Sequence, residues 1–281
     1  MNIETIISKI DQLAPIPQVA TKITTMTQDP ECGLSDISKV IMYDATITAN
    51  ILKIVNSAAY GLNRKIESIQ EAVTLLGLKE LVQMIFMSVA SGNLKRACSG
   101  YDLEEGALWK HSAASAFLAG KMGDTKKGVD GNLVFTAALL KDIGKVLLNQ
   151  YVCDDLKEIE NLVFRQDYTF LDAERKIIGI DHAQLGGIIA KKWNFSDRMV
   201  SLIQDHHLSD ENSIGDQEVC IIYLADTICS MMGIGTGTDG LTYRFTEEVL
   251  HQLNYSQGWI ESFIFQYASE KEKINCLINS F

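Results

Sequence analysis

The stretch TAALLKDIGKVLL, residues 136–148, decides how the rest of the chain is read. Its apolar residues recur at helical spacing and predict a buried helix, yet Lys141 and Asp142 set two opposite charges inside it. At roughly 100° per residue Asp142 falls between Phe135, Leu139 and Val146, in the middle of the apolar arc, so its carboxylate is expected to point inward. Lys141 falls at the edge of that arc, near Ala137, Lys145 and Leu148, where a long side chain can reach the interior or bend to water. A buried carboxylate needs a cation, hydrogen-bond donors or a metal ion, or it takes up a proton.

The chain offers such partners elsewhere. His111 shares an apolar helix face with Ala107, Leu108, Ala114 and Leu118; His182 with Leu185, Ile189 and Trp193; His206 and His207 follow Met199, Leu202 and Ile203. Asp226 is the only charged residue in VCIIYLADTICSMMGIG, residues 219–235. The remaining histidine, His251, lies in the C-terminal tail and reads as structural. Taken singly, each inward polar residue is more often a satisfied core group than a ligand. Together, imidazole nitrogen and carboxylate oxygen suit zinc, iron or manganese, and facing helices are a common place to assemble such a set. Spacing alone fits a metal site and a buried polar network equally well.

Away from this cluster, period-2 stretches are scarce and helical periodicity prevails, which predicts an all-α fold. Helix starts are expected at Ser35, Asp44, Ser68 with Glu71 completing a capping box, and Ser196. Pro15, Pro17 and Pro30, the only prolines, frame the second helix. Among 281 residues, 47% are hydrophobic and 22% charged, the balance of a folded globular chain. A formal charge of -11 without a Lys/Arg stretch argues against nucleic-acid binding. Six cysteines without a CxxC pair point to a reducing compartment, and hence a cytoplasmic protein. The N-terminus lacks the pattern of a signal peptide, and the run 219–235 is short for a membrane span and interrupted by Asp226, so no membrane partner is expected. GIGTGTDG, residues 233–240, follows a helix and lacks the Lys-Ser/Thr of a phosphate loop, so it reads as a surface loop. Gly, Ser and charge cluster over residues 91–106, the best place for a boundary. The expected organisation is an N-terminal helical half over 1–98, a helical core over 99–230 and a helical extension over 231–281, the last able to close the pocket or form a homodimer face.

The order His111, KDIGK (141–145), His182, His206-His207, Asp226 resembles the HD superfamily of metal-dependent phosphohydrolases, whose helix motif is HDIGK. DHAQLGGIIAKKWNFSDRMVSLIQDHH, residues 181–207, is similar to the histidine-bearing segment of HD-GYP phosphodiesterases, and LADTI, residues 224–228, to the superfamily's last aspartate motif; the DGxGYP signature is absent. LAPIPQVATKI, IMYDATITANILKIVNSAAYG and SIQEAVTLLGLKEL resemble the HDOD domain, a helical regulatory relative of HD enzymes, with a match running from about residue 11 to about 208 and extended to about 228 by the aspartate helix. Asp44, Asn56, Ser57 and Gly61 in this block are equally explained as helix caps and stops. The resemblance implies a multi-helical HD-superfamily fold with metal ligands His111, Asp142, His182, His206, His207 and Asp226, and with Lys145 where HD enzymes aim a lysine at a substrate phosphate. On helical spacing alone Lys145 is instead a solvated helix-edge residue.

Lys141 departs from the motif, since an ammonium has three donors and no lone pair for a metal. It either turns inward and replaces one ion by pairing with Asp142 or Asp226, or turns outward and leaves one ion on Asp142, His182, His206 and a further group. Either outcome removes the paired-ion clamp of two-metal hydrolysis. The expectation is therefore a signalling or regulatory HDOD protein holding one divalent iron, manganese or zinc ion, with a protein partner in a signalling pathway and no assigned catalytic residue. The alternative is a metal-dependent phosphohydrolase acting on a phosphoester or nucleotide.

Overall fold

Apolar residues at helical spacing, with capping side chains at many of the breaks, make helices the regular elements of this protein. The computed structural model describes residues 3–14, 18–27, 32–57, 59–238 and 246–281, with no strand among them. The three prolines expected to frame the second helix lie outside the described residues. The chain divides into two compact units.

One unit comprises residues 15–92 and 265–281. It contains α2 (Gln18–Thr27), α3 (Leu34–Met42), α4 (Ala45–Val55) and most of α5 (Ile69–Leu94), after α1 (Ile3–Ser8) of the other unit. Asp44 caps α4 by accepting from the backbone N–H groups of Thr46 and Ile47, as its position predicts. The start of α3 lies two residues before the expected Ser35, at Gly33. Ser68 accepts from the N–H of Glu71, whose carboxylate pairs with Arg64. By length and composition α5 could cross a membrane, but Gly77, at φ 77° and ψ 169°, breaks its helical path.

The other unit comprises residues 1–14 and 93–264. Its helices are α6 (Ala107–Asp124), α7 (Gly131–Leu140), α8 (Ile143–Asp154), α9 (Leu156–Gln166), α10 (Phe170–Ile177), α11 (His182–Lys192), α12 (Asp197–Gln204), α13 (Gln217–Met231) and α14 (Glu247–Leu253), followed by the start of α15 (Gln257–Ser280). Helix α13 is buried without interruption from Val219 to Cys229, as expected of a helix apolar all round. It packs on α6 and α7, while α11 packs on α8 and α12. Each fully buried Leu, Ile or Val in these contacts, such as Leu118, Leu139 and Ile221, contributes roughly 1.5–3 kcal/mol. Asp130, Asp181, Ser196 and Asp216 cap α7, α11, α12 and α13 through their side chains, which fixes where each helix begins. All six cysteines are free thiols.

Candidate functional site

The segment expected to form one continuous helix over 136–148 is two helices. Helix α7 ends at Leu140, α8 begins at Ile143, and Asp142 between them adopts φ -95° and ψ 10°. On an unbroken helix neighbouring side chains diverge by roughly 100°. The break re-aims the chain, and Lys141 and Asp142 are both fully buried. The junction is held by backbone contact as well: a Cβ built on Gly144 would lie 2.0 Å from the carbonyl oxygen of His182, so only glycine lets α8 meet the start of α11 this closely.

Around Asp142 the fold collects all eight residues expected at the site. Lys141 turns inward, its ammonium donating to Asp142 Oδ2 and lying 2.6 Å from Asp226 Oδ1. His111 completes this side, with Nε2 2.6 Å from the same Asp226 oxygen and Nδ1 2.8 Å from the carbonyl oxygen of Ile234. Of residues 233–240, expected as a surface loop, Gly233 is exposed, 234–238 are partly buried with Ile234 supporting His111, and 239–240 lie outside the described residues.

On the other side, Asp142 Oδ1 faces Lys145 Nζ at 2.8 Å, His182 Nε2 at 3.6 Å and His206 Nε2 at 4.0 Å. The Lys145 contact is a close ion pair whose direction does not make a hydrogen bond to Oδ1. Lys145 is buried, which removes the solvated helix-edge reading. His182 Nε2 lies 2.9 Å from His207 Nε2, and one coordinating atom from each of Asp142, His182, His206 and His207 falls within 4.8 Å of the others. His207 is the half-exposed member of this group.

The ring orientations on this side follow from what the other nitrogens do. His206 Nδ1 donates to the carbonyl oxygen of Ile203 at 2.7 Å, leaving a buried Nε2 with no hydrogen-bond partner among the described residues. His182 Nδ1 donates to Glu174 Oε2 at 2.7 Å, which likewise turns Nε2 into the pocket. Ligating histidines are commonly anchored in this way, with the second N–H on a carbonyl or carboxylate. The donor set, three imidazoles and one carboxylate around a lone pair that nothing else satisfies, fits a transition-metal ion.

The electrostatics differ across Asp142. Burial pushes its carboxyl up, but the Lys141 and Lys145 ammoniums, with His206 and His182, outweigh that and hold it well below the usual carboxylate range. Burial also pushes Asp226 up, and Lys141 and His111 bring it well down. For Lys141 burial works against the charge, and the attraction of Asp142 and Asp226 carries its pKa above the usual lysine value. Burial lowers His206 to about 4, so its ring stays neutral near pH 7. His182 is pushed down by burial and raised overall by Glu174.

Two site residues escaped the sequence reading: Glu174, fully buried on α10, and Tyr101, in the 3-10 turn Ser99–Tyr101. Glu174 carried little signal, because FLDAERKII, residues 170–178, also holds Asp172, Arg175 and Lys176. Tyr101 carried none.

Comparison with known proteins agrees with this architecture. An uncharacterized protein of Treponema pallidum (strain Nichols) is 28% identical over 218 residues, covering 72% of this chain and 39% of the relative, so the chain spans well under half of that relative's length. An HDOD domain protein of unknown function from Geobacter sulfurreducens has the same fold, with TM-score 0.73, 23% identity and coverage of 100% of this chain and 99% of that one. A "putative signal transduction protein" from Marinobacter aquaeolei VT8 superposes with TM-score 0.77 at 18% identity, over 96% of this chain and 60% of the other. A "putative phosphohydrolase" from Shewanella amazonensis SB2B does so with TM-score 0.69 at 18% identity, over 98% and 97%. The HDOD domain model matches residues 13–209, most of the chain, and the chain belongs to the HDOD family.

Proposed function

We propose that this chain is a regulatory HDOD module whose pocket takes one divalent transition-metal ion, iron, manganese or zinc, on Asp142, His182, His206 and His207. Lys141 stands in for the second ion that HD enzymes hold. The observation that carries the reading is the buried, unpartnered Nε2 of His206, aimed toward Asp142 Oδ1 beside the Nε2 atoms of His182 and His207. A bound ion would supply a Lewis-acidic centre for an anionic group. This chain's own residues anchor the rings, hold the Lys141 charge against two carboxylates and place Lys145 beside the pocket. With one ion instead of a pair, the site is suited to holding a metal or ligand for signalling and contact with a partner protein more than to fast hydrolysis. The free cysteines fit a cytoplasmic setting.

Elemental analysis of the purified protein, and of protein titrated with iron, manganese and zinc, should find close to one ion per chain. His206→Leu should lose it, as should Asp142→Ala if that variant folds. A wild type that takes up none of the three metals overturns the reading. Lys141→His should raise the stoichiometry above that of the wild type; an unchanged ratio means that Lys141 does not occupy an ion's place. Lys145, buried at the pocket, favours the second reading, a phosphohydrolase acting on a phosphoester or nucleotide. That reading requires manganese- or iron-dependent phosphate release that Asp226→Ala abolishes.

A further inference from the structure

Glu174 uses both carboxylate oxygens inside the protein. Oε2 accepts from the backbone N–H of His182 at 3.1 Å and from its ring Nδ1 at 2.7 Å, so one oxygen grips the main chain and the side chain of the same residue. Oε1 accepts from the Tyr101 hydroxyl at 2.5 Å. A carboxylate can only accept, so the ring proton of His182 is fixed on Nδ1 and the opposite nitrogen is turned toward Asp142 and His207.

The Tyr101 hydroxyl is itself held in place. Cys98 and Leu103 exchange backbone hydrogen bonds of 2.9 and 3.1 Å around the turn, and the N–H of Gly100 donates to Asn149 Oδ1 of α8 at 2.8 Å. The Tyr101 ring packs against Phe170 at 5.5 Å and meets the His182 ring nearly perpendicular to it at 6.3 Å. A buried tyrosine needs one acceptor, and many would serve. Here the acceptor is a fully buried carboxylate whose other oxygen sets the orientation of a histidine in the pocket.

We infer that Tyr101 and Glu174 are positioning residues: the Tyr101–Glu174–His182 chain of hydrogen bonds fixes the ring plane and tautomer of His182, and thereby sets the affinity of the pocket for a metal ion. The inference rests on the one-ion reading above, and its test separates the two. Cobalt(II), followed by its visible absorption, serves as the probe with the 281-residue chain. Ring-15N spectra of histidine-labelled, metal-free protein report which nitrogen of His182 carries the proton.

Glu174→Gln should weaken cobalt binding by about 10- to 100-fold, the usual range for losing such a partner, and Tyr101→Phe by about 10-fold. Both should loosen the Nδ1 protonation of His182, a signature that a merely structural contact would not move. Variants that bind cobalt within twofold of wild type, with unchanged His182 ring signals, overturn the inference. If the wild type binds neither cobalt nor any of iron, manganese and zinc, the one-ion reading has failed, and the ring spectra alone decide. A His182 proton fixed on Nδ1 in the wild type and released in Glu174→Gln supports the positioning role; identical spectra refute it. Tyr101→Phe, which removes a single oxygen, keeps the test open should Glu174→Gln fold poorly.

Discussion

On the Asp226 side of Asp142, each charge meets its opposite: the Lys141 ammonium lies between Asp142 Oδ2 and Asp226 Oδ1, and both ring nitrogens of His111 face oxygen acceptors. On the His206 side, three imidazoles and Asp142 Oδ1 converge, and the buried Nε2 of His206 has no hydrogen-bond partner among the described residues. The first side carries its cation on a side chain, permanently attached, while the second has the form of a place for a cation that comes and goes. Similar residue types thus serve folding on one side and binding on the other, and what separates them is whether the ring nitrogens all find hydrogen-bond partners within the protein.

The largest way to break this comparison is Lys141→Met. Two buried carboxylates would lose their shared cation, and removing one partner of a buried ion pair costs about 3–5 kcal/mol. Urea denaturation should show a loss of that size; a loss below about 1 kcal/mol would mean that the carboxylates do not depend on Lys141. Gly144→Ala comes next, since the added methyl would overlap the His182 carbonyl and force α8 from α11. Overpacking of this kind costs about 3 kcal/mol, and because it shifts His182 it should also weaken metal binding; a melting curve unchanged from wild type would contradict the close approach.

The pH dependence of the metal-free protein gives a smaller effect. His206 is lowered by burial to about 4, against about 6.5 in an unfolded chain, so between these values the unfolded state binds the proton first. Stability should fall as pH drops from about 6.5 toward 4, by up to about 1.4 kcal/mol per pH unit. His182 is raised, so its contribution is complete below about 6.5 and is lost as pH climbs through its folded value. Asp142 and Asp226 are depressed, so their contributions persist down through pH 4 and disappear only in stronger acid. Denaturation at pH 5 and pH 7 checks this limb; His207, which burial also holds well below the usual histidine range, adds to it, so His206→Leu should reduce the slope without removing it.

The smallest effect sharpens the contrast. At pH 7, His206→Leu should leave the stability of the metal-free protein within about 1 kcal/mol of wild type, because it removes a buried nitrogen that had no partner there. It should, however, abolish stabilisation by added metal, about 2.7 kcal/mol for the wild type at a hundredfold excess over Kd. A large loss of metal-free stability would place His206 with the structural half of the pocket.

Much of this was legible in the chain. Apolar spacing predicted the helices and drew inward the residues that now surround Asp142. Asp44 and Ser196 were legible as caps because a short polar side chain at a helix start has a local task. The break between Leu140 and Ile143 was not, because every residue there suits a helix and only the packing of α8 on α11 shows that the path must turn. The same turn explains Lys145, which a straight helical wheel sends to its edge and the real chain sends inward. Tyr101 stayed invisible because its role depends on a turn docked against α8, 49 residues away at the Gly100–Asn149 hydrogen bond.

Asp142 has one oxygen on each side of the pocket, and a carboxylate is flat: it cannot rotate one oxygen without moving the other. Whatever draws Oδ1 toward the histidines also changes the angle at which Oδ2 meets Lys141. The two sides are therefore mechanically geared through a single bond, and substitutions placed on opposite sides of that gear should not sum as independent changes do.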